Sequence, residues 1–255
     1  MRFAETGFNL EVDLTSGNIE KVETPEWWAE RHLGGLGTNA LIMWERVPPE
    51  TEPFSEENLL IISAGLLCGT PAPGANRTIV TTLSPQTLFM AFSMMGGFFA
   101  PELKFAGYDK VVVRGKAPHL VYLWIHNDKV EIRDARHLSG KGALETAELI
   151  RQELGEPRAQ VLAIGLAGEN RVYFASIEHG RSSASRGGIG AVMGAKNLKA
   201  VVVRGTKNIH IARSDRFIEL CNDVLKYIDF RRNNPIKGVP PILAGIGSPQ
   251  EMAIH

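Results

Sequence analysis

Apolar residues in this chain alternate with polar ones, or gather in short β-branched runs, far more often than they recur at helical spacing. Residues 8–22 set Phe8, Leu10, Val12 and Leu14 against Asn9, Glu11 and Asp13, turn at Thr15–Asn18, and resume at Ile19–Val22. That is the pattern of a hairpin. Further strands are expected at 59–63, 78–82, 110–114, 121–125, 129–133, 161–164, 171–177 and 198–203. Helical spacing is confined to a segment from Thr38, as N-cap, through Trp44, to 101–105, to 142–154 with Gly155 as its C-cap, to a start at Ile189, and to 217–230. Strands outnumber helices roughly two to one and do not alternate with them singly, so an α+β domain with antiparallel or mixed sheets is expected, not a doubly wound fold.

Size and charge bound the functions open to such a domain. A chain of 255 residues buries about 70–75% of its unfolded surface and needs no covalent staples. Lys and Arg number 28, as do Asp and Glu, for a formal net charge of +0. That balance lacks the electrostatic footprint of a general nucleic-acid binder or of a protein drawn to anionic membranes. Two cysteines, Cys68 and Cys221, stand far apart and in no metal spacing, the usage of a reducing compartment. The N-terminus carries no apolar signal core, and no long uncharged apolar run follows. The expectation is a soluble, cytoplasmic protein with neither nucleic-acid partner nor membrane insertion.

The chemistry concentrates in Gly180–Gly194, which reads Gly-Arg-Ser-Ser-Ala-Ser-Arg-Gly-Gly-Ile-Gly-Ala-Val-Met-Gly. Little side-chain bulk shields its amides, glycine permits conformations that aim successive N–H groups at one anion, and Ile189 begins a helix whose dipole favours the same charge. An anion cradle is one reading; an ordinary glycine-rich turn is the other. A second basic position is Arg77, delivered by the Gly/Pro-rich run 65–74 to the mouth of the strand at Thr78. A guanidinium there suits a phosphate; a plain surface arginine is the alternative. The Met/Phe run at 87–99 is expected in the core, and its pair Gly96-Gly97 implies close approach by a backbone or a flat ligand. His179 borders the cradle, either toward a ligand or solvated in a loop.

Familiar catalytic patterns fail one by one. Gly188-Ile-Gly190-Ala-Val-Met-Gly194 is a loose dinucleotide fingerprint, but Ser-Ser-Ala-Ser-Arg occupies the place of the required strand. The next strand ends in Arg204 where an acid belongs, which leaves only an NADP variant. Gly140-Lys141-Gly142 is not a Walker A loop, no Gly-x-Ser-x-Gly elbow occurs, and the seven histidines show no zinc spacing. Binding features are present without a catalytic centre.

Seven blocks carry a resemblance. They are Val-Asp-Leu-Thr-Ser-Gly (12–17), Leu-Gly-Gly-Leu-Gly (33–37), Gly-Thr-Pro-Ala-Pro-Gly (69–74), Pro-Glu-Leu-Lys-Phe-Ala-Gly-Tyr-Asp (101–109), Val-Glu-Ile-Arg-Asp-Ala (130–135), Ala-Gly-Glu-Asn (167–170), and Arg-Gly-Gly-Ile-Gly-Ala-Val-Met-Gly with Lys-Asn-Leu-Lys-Ala (186–200). In this order they resemble the N-terminal domain of the tungsten-containing aldehyde ferredoxin oxidoreductase family. Leu67-Cys-Gly-Thr, Asn76-Arg-Thr-Ile-Val, Phe92-Ser-Met-Met-Gly-Gly and Gly180-Arg-Ser-Ser-Ala-Ser-Arg look most like the tungsten subunit of the class II benzoyl-CoA reductases.

The resemblance implies two β-sheets with flanking helices that form the base for a tungsten bis-pterin (tungstopterin) with Mg²⁺. It makes 1–210 the cofactor-binding domain, and 211–255 a helix and the start of a linker to C-terminal domains. It assigns cofactor contacts to Arg77, Met95, Gly96, Gly97, Arg181, Ser182, Ser183, Arg186 and Gly187, and Mg²⁺ contacts to Met94 and Ser183. Glu251 is implied as a catalytic carboxylate for proton transfer. Where aldehyde-oxidising members read Asn-Ser-Gly-Gly and Arg-Ala-Ala-Gly-Arg, this chain has Met94-Met95-Gly96-Gly97 and Ser182-Ser-Ala-Ser-Arg186, so the side-chain phosphate contact moves to Arg181. The [4Fe–4S] cluster of a full-length enzyme, a ferredoxin-like electron-transfer subunit and a homodimer are further implications. Reduction of an aromatic acyl-CoA is the implied activity, aldehyde oxidation or a stand-alone binding or assembly domain the alternatives. Cys68 and Cys221 cannot supply the cluster, so a truncated chain, inactive alone, is expected.

Overall fold

The computed structural model describes residues 2–233. The first half of the chain builds one six-stranded sheet from β1 (Phe8–Asp13), β2 (Asn18–Glu23), β3 (Leu60–Ala64), β4 (Thr78–Leu83), β5 (Met90–Met95) and β6 (Lys110–Arg114). Its order is β2-β1-β6-β3-β4-β5, antiparallel except for β1 beside β6. Helices α1 (Trp27–His32), α2 (Gly35–Arg46) and α3 (Phe99–Ala106) belong to this half. The second half repeats the plan with β7 (Val121–His126), β8 (Lys129–Asp134), β9 (Gln160–Ala163), β10 (Ile177–His179), β11 (Ser182–Ala184) and β12 (Leu198–Arg204), ordered β11-β10-β9-β12-β7-β8. Here β7 and β12 form the parallel pair. Helices α4 (Ala143–Leu154), α5 (Leu166–Glu169), α6 (Ile189–Ala195) and α7 (Ser214–Asn233) are the α-helices of this half among the described residues. The expected α+β class with mixed sheets and flanking helices is the one observed.

Side-chain alternation explains the layering. Leu10, Val12, Leu60, Ile62, Val111 and Val113 of the first sheet share one core with Leu123, Ile125, Leu162, Val201 and Val203 of the second. Phe99 and Leu103 of α3 and Ile189 and Met193 of α6 enter the same cluster. Alternate residues face outward and need helices to cover them. Ile42 and Met43 of α2 cover Ile61 and Val112, while Ala147 and Ile150 of α4 cover Trp124, Val161 and Val202. Each fully buried aliphatic side chain contributes roughly 1.5–3 kcal/mol.

Several sequence expectations need correction. Helix α2 begins after Gly34, not at Thr38, whose hydroxyl lies inside the helix, donating to Gly35 O at 3.1 Å and accepting from Lys110 Nζ at 2.6 Å. The strand expected at 171–177 is only Ile177–His179: Val172 N–H returns to Ala167 O, Ala175 N–H to Val172 O, and Arg171 holds φ +55°. The segment before it holds the short helix α5. The Met/Phe run is half core and half surface. Met95 is 1% exposed, but Met90, Phe92 and Met94 share the opposite face of edge strand β5 and stand open to solvent.

Candidate functional site

The two sheets end on neighbouring edges, β5 and β11, which lie side by side without forming a ladder. Glycines set how closely they approach. A Cβ on Gly96 would stand 3.5 Å from Ser182 Oγ, and one on Gly187 would stand 2.9 Å from the Ala91 Cβ. The segment Ser182–Gly187 therefore runs against β5 between Gly96 and Ala91, a strip of about 17 Å at ~3.3 Å per residue. Pairing of Thr78 with Met95 puts Arg77 beside Gly96 at one end of it. The structure thus brings Arg77, Met94, Met95, Gly96, Gly97, Ser182, Ser183, Arg186 and Gly187 to one seam, with Arg181 next to Ser182. Glu251 lies outside the described residues.

Arg77 is held by a built loop. The Cys68 thiol accepts from Gly65 N–H at 3.2 Å and donates to Ala75 O at 2.6 Å, while Asn76 Oδ1 accepts from Gly69 N–H at 3.3 Å. Burial pushes the Cys68 thiol pKa up, which keeps it a hydrogen-bond donor. Below the loop, buried Lys104 donates to Leu66 O at 3.3 Å and to Asp109 at 2.8 Å. Burial raises the Asp109 pKa, but Lys104 and the Thr6 amide outweigh it and hold the carboxyl below its usual value. Lys104 and Asp109 come from the 101–109 block, so that block acts by anchoring the Arg77 loop.

Charge is distributed unevenly around the seam. No Asp or Glu occurs from Asn58 to Pro101 or from His179 to Ser214, the two stretches that build it. Arg77, Arg181 and Arg186 are exposed and form no ion pair among the described residues. The amides of Gly96, Gly97, Ser185, Arg186 and Gly187 donate to no described residue. A neutral chain therefore presents one cationic, amide-rich strip, suited to an elongated polyanion more than to a single phosphate. Among the described residues no cluster of His, Cys, Asp or Glu could hold a metal ion.

The cradle's second half works differently from expectation. Helix α6 is buried along its whole length, and Gly190 N–H is taken by Ala175 O at 3.0 Å, so its N-terminus faces no ligand. Its glycines serve packing: a Cβ on Gly194 would fall 1.9 Å from Gly168 O. The dinucleotide alternative also closes. A strand, β11, does precede the glycines, but it is an antiparallel edge strand, not the central strand of a βαβ unit. Arg204 is occupied by Glu102 at 3.0 Å.

His179, read as solvated or ligand-facing, is neither. It is 8% exposed, with Nδ1 3.0 Å from Val161 O and Nε2 3.3 Å from Phe98 N–H. No local sequence signal marks it, because its partners come from strand β9 and from a turn 81 residues away.

Comparison with known proteins shows which family the chain resembles. The aldehyde ferredoxin oxidoreductase N-terminal domain family matches residues 9–205. The chain is 42% identical over 237 residues to a tungsten-containing aldehyde ferredoxin oxidoreductase of Pyrococcus abyssi, covering 92% of this chain and 39% of that protein. The corresponding Pyrococcus furiosus protein is 43% identical with the same coverage. A solved structure, the active site complex BamBC of benzoyl coenzyme A reductase with 1,5-dienoyl-CoA, matches with TM-score 0.96 and 72% identity, over 98% of this chain and 38% of that one. The chain spans about two fifths of the length of these relatives. On the family match and these relatives, the chain belongs to the aldehyde ferredoxin oxidoreductase N-terminal domain family.

Proposed function

We propose that the seam between β5 and β11 is the floor on which a tungstopterin rests, in an enzyme that reduces an aromatic acyl-CoA. One observation carries the reading: among the described residues, three arginines without an ion pair and five amides without an acceptor gather along one acid-free strip. When bound, a tungstopterin supplies electron transfer at its metal. The residues of this chain bind and orient it. Arg77, Arg181 and Arg186 take the anionic groups, assisted by the amides of Gly96, Gly97 and Gly187 and the hydroxyls of Ser182 and Ser183. Main-chain oxygens of Met94 and Ser183 are the Mg²⁺ ligands in this reading, since a hard cation takes oxygen donors and no carboxylate cluster competes among the described residues. Identity of 72% to the benzoyl coenzyme A reductase chain, against 42% to an aldehyde oxidoreductase, favours the acyl-CoA substrate.

In this scheme residues 1–210 are the cofactor base and 211–255 lead toward the part of the enzyme that holds a [4Fe–4S] cluster. Glu251 serves proton transfer, and electrons arrive through a ferredoxin-like subunit. The relative's BamBC complex supports a second subunit. Cytoplasmic location fits the reading, and no described helix is long and apolar enough to cross a membrane.

The test is Arg77→Ala in the full-length enzyme. Losing one charge-assisted contact of roughly 1.5–3 kcal/mol lowers affinity about 10- to 100-fold. Tungsten per polypeptide, by elemental analysis after dialysis, is expected to fall. Unchanged content removes Arg77 from the site.

A further inference from the structure

The Gly96-Gly97 turn ends the cofactor floor proposed above, and something must hold its shape. Nothing in strand β5 does so, since neither glycine has a side chain and both amides are free. The support comes from the other sheet. His179, on β10, lies between the turn and the core strand β9. Its Nδ1 is 3.0 Å from Val161 O, which can only accept, so Nδ1 carries the proton. Its Nε2, left with a lone pair, accepts Phe98 N–H at 3.3 Å. The ring stands edge-on to Phe99, with centroids 6.3 Å apart. It also fills the space where a side chain at position 97 would go: a Cβ there would lie 2.4 Å from the ring Cδ2.

We infer that His179 is a positioning residue for the cofactor site, a latch that fixes the Gly96-Gly97 turn and keeps its free amides aimed along the seam. The latch uses the neutral ring in one tautomer. Burial holds its pKa below the ordinary histidine value, against the bond to Val161 O, which favours the charged ring; Arg151 on α4 adds a smaller lowering. The inference rests on the proposed cofactor floor, and it explains why a buried histidine with both ring nitrogens bonded to backbone adjoins that floor.

Two substitutions separate latching from general packing. His179→Asn keeps a donor where Nδ1 stands but offers no acceptor to Phe98. His179→Gln places an amide oxygen near the position of Nε2. Both are made in the holoenzyme, beside Arg77→Ala, with hydrogen exchange and tungsten content read for each. In His179→Asn, peptides covering residues 96–99 are expected to exchange roughly tenfold faster, while the β1–β2 hairpin stays at its wild-type rate. Tungsten per polypeptide is expected to fall by about half or more, as expected for the loss of a site-shaping hydrogen bond. His179→Gln is expected to restore both. Unchanged exchange at 96–99 in His179→Asn overturns the latch. Faster exchange with full tungsten, while Arg77→Ala loses its metal, overturns the positioning role but leaves the site reading intact. Full tungsten in both variants overturns the two together. Loss in His179→Asn with Arg77→Ala unaffected supports the latch and removes Arg77. Equal damage in the Asn and Gln variants assigns His179 to packing alone and overturns the inference.

Discussion

At Gly97 backbone and packing demands coincide. It holds φ +103°, and the His179 ring closes the space a side chain would need. Gly97→Ala therefore meets two penalties, left-handed backbone at about 1–2 kcal/mol and overpacking at about 1–3 kcal/mol. A loss of roughly 2–5 kcal/mol, read as a lower urea midpoint with unchanged slope, is expected. A change below ~0.5 kcal/mol would mean the turn is free to move away from His179. The residues that touch the seam were legible in the chain because glycine, serine and arginine crowd there with no acid. His179 was not, since its two bonds join segments distant in sequence, and nothing about a lone histidine in a glycine-rich neighbourhood announces that it is buried.

Elements were legible where period and punctuation agreed. The hairpin at 8–23, helix α4 with Gly155 at its C-cap, and strands β6 to β8 follow alternation and glycine signals directly. They were missed where packing overrode local preference. Strand β11 is three residues of Ser-Ser-Ala with weak intrinsic β tendency, held by pairing to β10. The exposed row Met90, Phe92, Met94 misled because hydrophobicity says nothing about whether a strand is central or at an edge. Helix α6 shows the same precedence of packing. By helix propensity alone Gly194→Ala gains about 1 kcal/mol. With its Cβ 1.9 Å from the Gly168 carbonyl, the added methyl pushes α6 off α5, and the net is expected to be destabilising by roughly 1–3 kcal/mol. Thermal denaturation decides the sign; a stabilised variant would show that the α5–α6 contact yields.

Across the whole molecule, buried ionisable groups set an alkaline optimum. Burial lowers the pKa of Lys110 and of Lys196 to about 8 each. Unfolded, both bind their protons up to about pH 10.5, so the unfolded state holds more protons and stability rises as pH climbs from 8. The opposite sign follows for acids kept neutral by burial. The Cys68 thiol is raised above 9.0, and Tyr108 and Tyr122 are raised to about 12. Each of these lowers stability once its unfolded counterpart ionises, from about pH 9 for the thiol and pH 10 for the phenols. Urea midpoints are expected to peak near pH 10, where the phenols join the thiol against the two lysines, and to rise less between pH 7 and 9 in Lys110→Met; a steady decline from pH 7 would contradict the burial of both lysines. The seam has a consequence at this scale as well. The two sheets share a core, yet at their β5 and β11 edges no backbone ladder crosses. A polyanion reaching from Arg77 to Arg186 would hold one edge to the other, and its binding free energy would add to the cohesion of the fold as RT ln(1 + [L]/Kd). Cofactor loading and folding stability then become one measurable quantity, with the ligand acting as the crosspiece that the backbone leaves out.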